Sequence, residues 1–366
     1  MKKKKSIDII FIIIVMLILL IGLVSVYSSS YIEAGEKFSD PGFFLKKQSV
    51  WAIIGIVAMF IVSTIDYHFF VKNSRNFLFF FFILLVLILF LPDEARVKGA
   101  NRWISLKYFK IQPSEFVKFI FVWYLAFFFG KTENILNIKK KIFNPLFIFV
   151  ALAVVILLQP DLGTVFVFAF SFFVILFIIG LEYSYLFSLL FFGIICFISA
   201  IYIKPYRRNR ILAFIDPWAY RYDLGYHIIN SLIAVGSGGL SGLGLGASRQ
   251  KFLYLPEPYT DFIFAIICEE TGFIGASVIL VLFATLFLRG WYIIRKAPDI
   301  SGFILGLGII TTITVQALIN MGVVLNLFPT KGLPLPFISY GGSSLLILFI
   351  NTGIILNISR FRHEKG

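Results

Sequence analysis

Long apolar runs, separated by short polar stretches, recur along the whole chain. Runs of about 18 or more apolar residues are long enough to cross a bilayer as helices. The pattern predicts ten such spans, over residues 7–28, 49–67, 76–92, 115–130, 143–159, 163–181, 184–203, 260–288, 302–326 and 342–359. No polar stretch between them is long enough to bury a core of its own. Residues 1–366 therefore read as a single integral membrane domain, an all-α polytopic protein with about ten transmembrane helices. The start, "KKKK" at 2–5 followed by "IDIIFIIIVMLILLIGLVSVY", resembles a signal peptide. That apolar run is too long for a signal core and lacks a small-residue cleavage site, so it is expected to stay as the first helix.

Composition agrees. Of 366 residues, 59% are hydrophobic and 14% charged, and 45 are Phe; a soluble domain is far more polar. Cys196 and Cys268 lie in apolar runs and offer neither a disulfide framework nor metal-ligand spacing. His68, His227 and His363 are scattered, which argues against a His-based metal site.

The net charge of +14 is read as orientation in the membrane rather than as nucleic-acid binding. Ten spans put both termini on one side. The basic clusters Lys2–Lys5, Lys139–Lys141, Arg295–Lys296 and Arg360 with Arg362 then share that side, which should be cytoplasmic. The remaining basic residues fall on the opposite face, mostly in 93–114 and 204–259. An anionic ligand at the outer face would explain them.

Residues 204–259, between spans seven and eight, are expected to form one long ordered extracellular loop. Loops this long are usually functional or disordered, and this one holds Trp, Tyr and an amphipathic run near Tyr226–Val235. A short interfacial helix and a glycine-rich turn are expected. "GSGGLSGLGLG" at 236–246 lacks the Lys-Ser/Thr ending of a nucleotide-binding loop.

Four polar clusters converge on the outer mouth. In "GANRWISLKYFKIQPSEFVKF", Pro113 halts the chain, Ser114 can cap the next helix and Glu115 sits in its first turn. Lys118 follows on the same face; the two can be an internal ion pair or line a wet cavity. Arg102 beside Trp103 can hold a phosphate or merely anchor at the interface. In "QPDLGT", Asp161 can serve the ligand or simply make the turn. In "YTDFIFAIICEETGF", Thr260 or Asp261 can cap span eight, and Asp261 can face both water and the cavity. On a continuous helix Glu269 lies roughly 12 Å deeper and about 80° away in azimuth, while Glu270 lies about 180° from Asp261. Glu269 can share an interior face with Asp261 as a packing or relay partner; Glu270 must point to another helix. In "NMGVVLNLFPTKGLPLPFISYGGSSLL", three prolines and four glycines break the apolar pattern, and Lys331 and the Gly341–Ser344 amides are candidate anion donors.

Carboxylates with Arg and Lys, and no legible metal quartet or nucleophile triad, suit a lipid-linked anionic substrate. A carboxylate can take a proton from a sugar hydroxyl, and cations can stabilise a departing pyrophosphate. A transporter moving such a lipid fits the same residues.

The stretches "RWISL", "QPSEFVK", "QPDLGT", "DPW", "GLGLGASRQK", "YLPEPYTDFIFAIICEETG" and "PTKGLPLPFISYGGSS" resemble the SEDS family (shape, elongation, division and sporulation), which includes FtsW, RodA and SpoVE. "PTKGLPLPF" is similar to the FtsW and SpoVE branch. The resemblance implies a ten-span peptidoglycan glycosyltransferase of the bacterial cytoplasmic membrane. It would polymerise lipid II into β-1,4-linked glycan at the outer face during cell division, with inversion at the donor carbon. Alternatives within the resemblance are a lipid II flippase, or the elongation or sporulation polymerase. It implies Asp261 as general base. It implies Arg102, Trp103, Glu115, Lys118, Asp161, Lys251, Lys331, Ser339 and Ser343 as substrate-binding residues, with Glu269 secondary. The resemblance fixes no cofactor; it leaves room for a divalent cation, Mg or Mn, to assist the pyrophosphate, with no ligand set legible for it. The implied partners are a class B penicillin-binding protein and other division membrane proteins. His227, Asn230 and Cys268 depart from the residues common at those positions.

Overall fold

A computed structural model describes residues 6–90, 102–105, 110–131, 142–252, 254–256, 258–330 and 332–361. Lys2–Lys5, Lys139–Lys141, Lys331, Arg362 and most of 93–114 lie outside the described residues. The described residues form twelve helices: α1 Ile9–Phe38, α2 Phe43–Thr64, α3 Tyr67–Leu89, α4 Pro113–Gly130, α5 Phe143–Leu158, α6 Leu162–Ile178, α7 Tyr183–Tyr202, α8 Pro205–Ile215, α9 Leu224–Gly238, α10 Ile263–Ile294, α11 Ile300–Val324 and α12 Gly342–Arg360. The ten expected spans correspond to α1–α7 and α10–α12. Eight of them are long and apolar enough to cross a membrane; α5 and α6 are equally apolar but shorter. A two-residue antiparallel ladder, β1 Ile104–Ser105 with β2 Lys110–Ile111, leads into α4.

Local chemistry sets the helix starts. Asp8 caps α1 by accepting from Phe11 N, Asp66 caps α3 and Asp161 caps α6. Pro113 and Pro205 open α4 and α8 at the position where a missing N–H costs nothing. Two expected caps are absent. Gln112 is the cap position of α4, so Ser114 lies inside the helix. Phe262 is the cap position of α10, with no side-chain bond, so Asp261 precedes the helix in a turn.

The core is α4, α11 and α12. In each, 78% of the most apolar stretch is buried by protein, against 6% in α7, where only Leu186 is buried. α12 packs along α2, and α4 lies between α3 and α11. The long segment after α7 carries two helices rather than one. α9 packs along α10.

α10 is not a continuous helix. At Gly272 the backbone turns to φ 65°, ψ −162°, a conformation open to glycine alone. A Cβ there would also lie 2.4 Å from Gly242 N. The break strands carbonyls inside an apolar bundle, where unpaired backbone groups are costly. The glycine-rich turn satisfies them. Leu243 and Gly244 donate to the carbonyls of Glu269 and Glu270, and Phe273 and Ile274 donate back to Gly239 and Leu240.

Candidate functional site

The starts of α4, α6, α10 and α12 meet at one end of the bundle. Gln112 Nε2 donates to Asp161 Oδ2 at 3.2 Å, Gln112 N donates to Ser343 Oγ at 3.3 Å, and Tyr340 N donates to Tyr259 O at 2.9 Å. Four helix N-termini, the positive ends of their dipoles, therefore face a common region.

Within it lies a small, partly open cleft lined by Arg102, Asp161, Arg207, Arg210, Thr330 and Gly332, among others. Arg207 is buried, and its three donor groups go to Ala200 O, Leu157 O and the Tyr206 hydroxyl. Arg102 donates to Gln159 O at 2.9 Å and to Pro160 O. Arg210 makes one long contact, 3.5 Å, to Thr330 O. Among the described residues, no carboxylate pairs with Arg102 or Arg210 at salt-bridge distance. Burial and the charge of Arg102 hold the Arg210 guanidinium below its usual pKa, with Asp261 pulling the other way. The electrostatic field of Asp261 thus reaches the cleft. Its Oδ2 faces Gly332, on the cleft wall, so closely that a Cβ at Gly332 would lie 3.0 Å away.

The other expected site residues divide by what they touch. Trp103 is half-buried next to Arg102. Asp161 is buried and caps α6, with Oδ1 accepting from Thr164 N and Oδ2 from the Thr164 hydroxyl. Its turn role is occupied even though it borders the cleft. Glu115 and Lys118 are buried and pair at 2.8 Å. Lys118 also donates to Gln316 Oε1, and Ser344 donates to Glu115 Oε2 at 2.7 Å. Buried charges tolerate the membrane interior when paired and fully hydrogen-bonded.

Lys251, Ser339, Ser343 and Glu269 do not line this cleft. Lys251 has no exposed side-chain surface. It pairs with Glu270 at 2.8 Å and donates to Gly246 O and Ser28 Oγ. Ser339 Oγ donates to Thr260 O at 2.6 Å and accepts from Leu335 N. Ser343 Oγ accepts from Gln112 N, and Gly341 N is bonded to Gln48. Glu269 is fully buried. It accepts from the Ser248 hydroxyl and from Arg249 N and Gln250 N, which fixes the 248–250 turn. Its shared face with Asp261 was computed for a continuous helix, and Asp261 lies outside it. Glu270 points to α1, accepting from Ser28 at 2.6 Å. Lys331 lies outside the described residues.

Sequence reasoning passed over Arg207, Arg210, Gln316 and Asn320. The signals were present: "YRRNR" repeats Arg at a three-residue interval just after a span, and Gln316 and Asn320 are amides one turn apart inside one. Among the described residues, no three His, Cys, Asp or Glu side chains come together as a metal site needs. Asp161 is taken up by its cap, and the guanidinium groups beside Asp261 do not suit a divalent cation.

The sequence matches a family of cell cycle proteins taking in FtsW, RodA and SpoVE over residues 8–364. It is 44% identical over 361 residues to stage V sporulation protein E of Bacillus subtilis (strain 168), covering 98% of both chains. It is 38% identical to a probable peptidoglycan glycosyltransferase FtsW of Geobacter sp. (strain M18), again covering 98% of both. The fold is similar to a chain in the structure of a peptidoglycan synthase complex that coordinates polymerization and crosslinking. That comparison gives a TM-score of 0.80 and 26% identity, covering 98% of this chain and 99% of that one. The rod shape determining protein RodA of Thermus thermophilus shares the fold at a TM-score of 0.71, 24% identity and the same coverage.

Proposed function

This chain belongs to the FtsW, RodA and SpoVE family of cell cycle proteins, and on that premise we propose that it is a peptidoglycan glycosyltransferase polymerising lipid II. The observation that carries the reading is the pairing of Asp261 with a cleft whose arginines Arg102 and Arg210 lack a carboxylate partner among the described residues. Cations in a confined site attract an anion, and the diphosphate of a lipid-linked sugar is such an anion.

In the proposed reaction, Asp261 accepts the proton of the acceptor GlcNAc 4-hydroxyl. The freed oxygen attacks the anomeric carbon of the donor MurNAc from the face opposite the diphosphate. The bond from that carbon to the diphosphate oxygen breaks, and undecaprenyl diphosphate leaves with the electron pair. The α-linked donor becomes a β-1,4 linkage, so configuration inverts in one displacement. Arg102 and Arg210 stabilise the charge that grows on the leaving diphosphate. The four converging helix N-termini add to that field. Glu115 and Lys118 stiffen the floor beneath.

The cleft is proposed to open at the outer face of the bacterial cytoplasmic membrane, with both termini cytoplasmic. A class B penicillin-binding protein is the proposed partner, supported by the likeness to a chain of a peptidoglycan synthase complex; other division membrane proteins complete the assembly.

The test uses purified protein with its transpeptidase partner and labelled lipid II in vesicles. Glycan ladders from wild type and none from Asp261→Asn are expected. Absence of polymer from wild type, with Asp261→Asn still moving lipid II across the bilayer, would instead establish a flippase. Depletion in cells assigns the process. Filaments report the division role proposed here; normal growth with failed sporulation reports the role of the B. subtilis relative.

A further inference from the structure

Asp261 lies in a turn outside α10, so helical hydrogen bonding does not hold it. Its backbone is held by other means. Asn320, on α11, is buried, and its Nδ2 donates to two carbonyls at once: Asp261 O at 2.8 Å and Leu333 O at 2.7 Å. Both neighbours are acceptors, so only the NH2 end of the amide can face them. One turn earlier on α11, Gln316 donates from Nε2 to Pro334 O at 2.8 Å and receives Lys118 Nζ on Oε1. Ser339 and Tyr340 then bond the carbonyls of Thr260 and Tyr259.

Two irregular segments, 258–262 and 332–341, are thus clasped together, and Asn320 is the side chain that spans both. The spacing it sets is the spacing between the Asp261 carboxylate and Gly332 on the cleft wall. A carboxylate that must meet a hydroxyl within hydrogen-bond reach cannot tolerate a shift of about 1 Å without a large loss of rate, on the order of 100-fold.

We propose that Asn320 is the positioning residue of Asp261, acting through its two N–H donors on the carbonyls of Asp261 and Leu333, with Gln316 and Lys118 bracing the same loop from one turn away. The inference rests on the reading of Asp261 as the base.

The test compares wild type with Asn320→Asp, which keeps the shape and removes both donors, Asn320→Ser, which keeps one donor, and Asn320→Ala. Turnover and its pH profile are measured on the full chain with its partner, and amide hydrogen exchange on the same preparations. Expected is a graded fall in kcat, with Ser above Ala and Asp, reaching about 10–100-fold while KM for lipid II stays within about threefold. The acid limb of the pH profile should shift, and the amides of Leu335 and Tyr340 should exchange faster. A kcat within about threefold of wild type, a loss carried by KM, or an unmoved acid limb overturns the inference. A variant that does not fold leaves the other two to decide. If wild type itself makes no polymer, the reading of Asp261 fails. Hydrogen exchange then decides the clasp alone: faster exchange supports it, and unchanged exchange overturns it.

Discussion

Two groups of charges, one buried and one only half-buried, behave oppositely. Around Glu269 and Glu270, every charge is answered. Lys251 pairs with Glu270, Ser28 and Ser248 supply hydroxyls, and Arg249 and Gln250 supply amides. Beside Asp261, Arg102 and Arg210 line a cleft with no carboxylate at ion-pair distance from either guanidinium among the described residues, and burial together with the charge of Arg102 lowers the Arg210 pKa. A closed set of buried charges specifies a shape. An open set of one sign, beside a cleft, has a ligand of the other sign as its natural complement. The acids of one short stretch thus divide: Glu269 and Glu270 are buried and bonded into the scaffold, while half-buried Asp261 borders the cleft and is proposed for the chemistry.

The sharpest way to break the comparison is to remove the one charge assigned to chemistry. Asp261→Asn should lower polymerisation by about 10²–10⁴-fold, the range for a lost general base, with the melting temperature unchanged. In the closed set the effects should reverse. Lys251→Met leaves Glu270 buried and unpaired, and should cost about 3–5 kcal/mol of stability by thermal or detergent-denaturation melting. The double variant Lys251→Met with Glu270→Gln should recover much of that loss, since no lone charge remains. If Lys251→Met instead lost activity at full stability, Lys251 would belong to the cleft.

Smaller effects sharpen the assignment within the cleft. Arg210→Ala should reduce turnover by about 10–100-fold, and Arg210→Lys should restore part of it, as a point charge without the planar fork. Smallest is a control at the far end of the bundle. Asp299 caps α11 by accepting from Gly302 N. Burial pushes its pKa up, but bonds from the Tyr67 hydroxyl, Gly302 and His68 outweigh burial and leave it below the usual carboxylate value. A lowered folded-state pKa means stability that is present above the ordinary carboxylate range and lost as pH falls through the folded value. Asp299→Ala should cost about 1 kcal/mol at neutral pH and lose that difference in acid, without effect on turnover.

The ten helices were legible in the sequence because apolar length alone predicts a span. So was the divergence of Glu269 from Glu270, since adjacent residues on a helix cannot share a face. What failed were arguments that needed a partner from far along the chain. A cap at Thr260 or Asp261 is the local expectation, yet α10 begins later, and the 258–262 turn is bonded to residues 320 and 339–340 instead. Lys251 was read as a ligand contact because nothing local reveals that Ser28 and Glu270 surround it. A glycine-rich turn is legible at 236–246, but its pairing with the break at Gly272 is not, because those bonds join residues far apart in the chain. The basic residues of 204–259 point to an anionic ligand as a group, but nothing local shows that Arg210 lines a cleft with Arg102 while Arg207 is taken up by Ala200, Leu157 and Tyr206.

Charge that is buried and paired builds the scaffold, and the half-buried carboxylate beside the arginine-lined cleft is proposed to carry the chemistry. The most direct measurement is lipid II polymerisation and thermal stability, taken side by side, on Asp261→Asn and Lys251→Met. The account predicts a folded, inactive Asp261→Asn and a destabilised Lys251→Met that still turns over at temperatures where it remains folded. An Asp261→Asn that polymerises at the wild-type rate would contradict it.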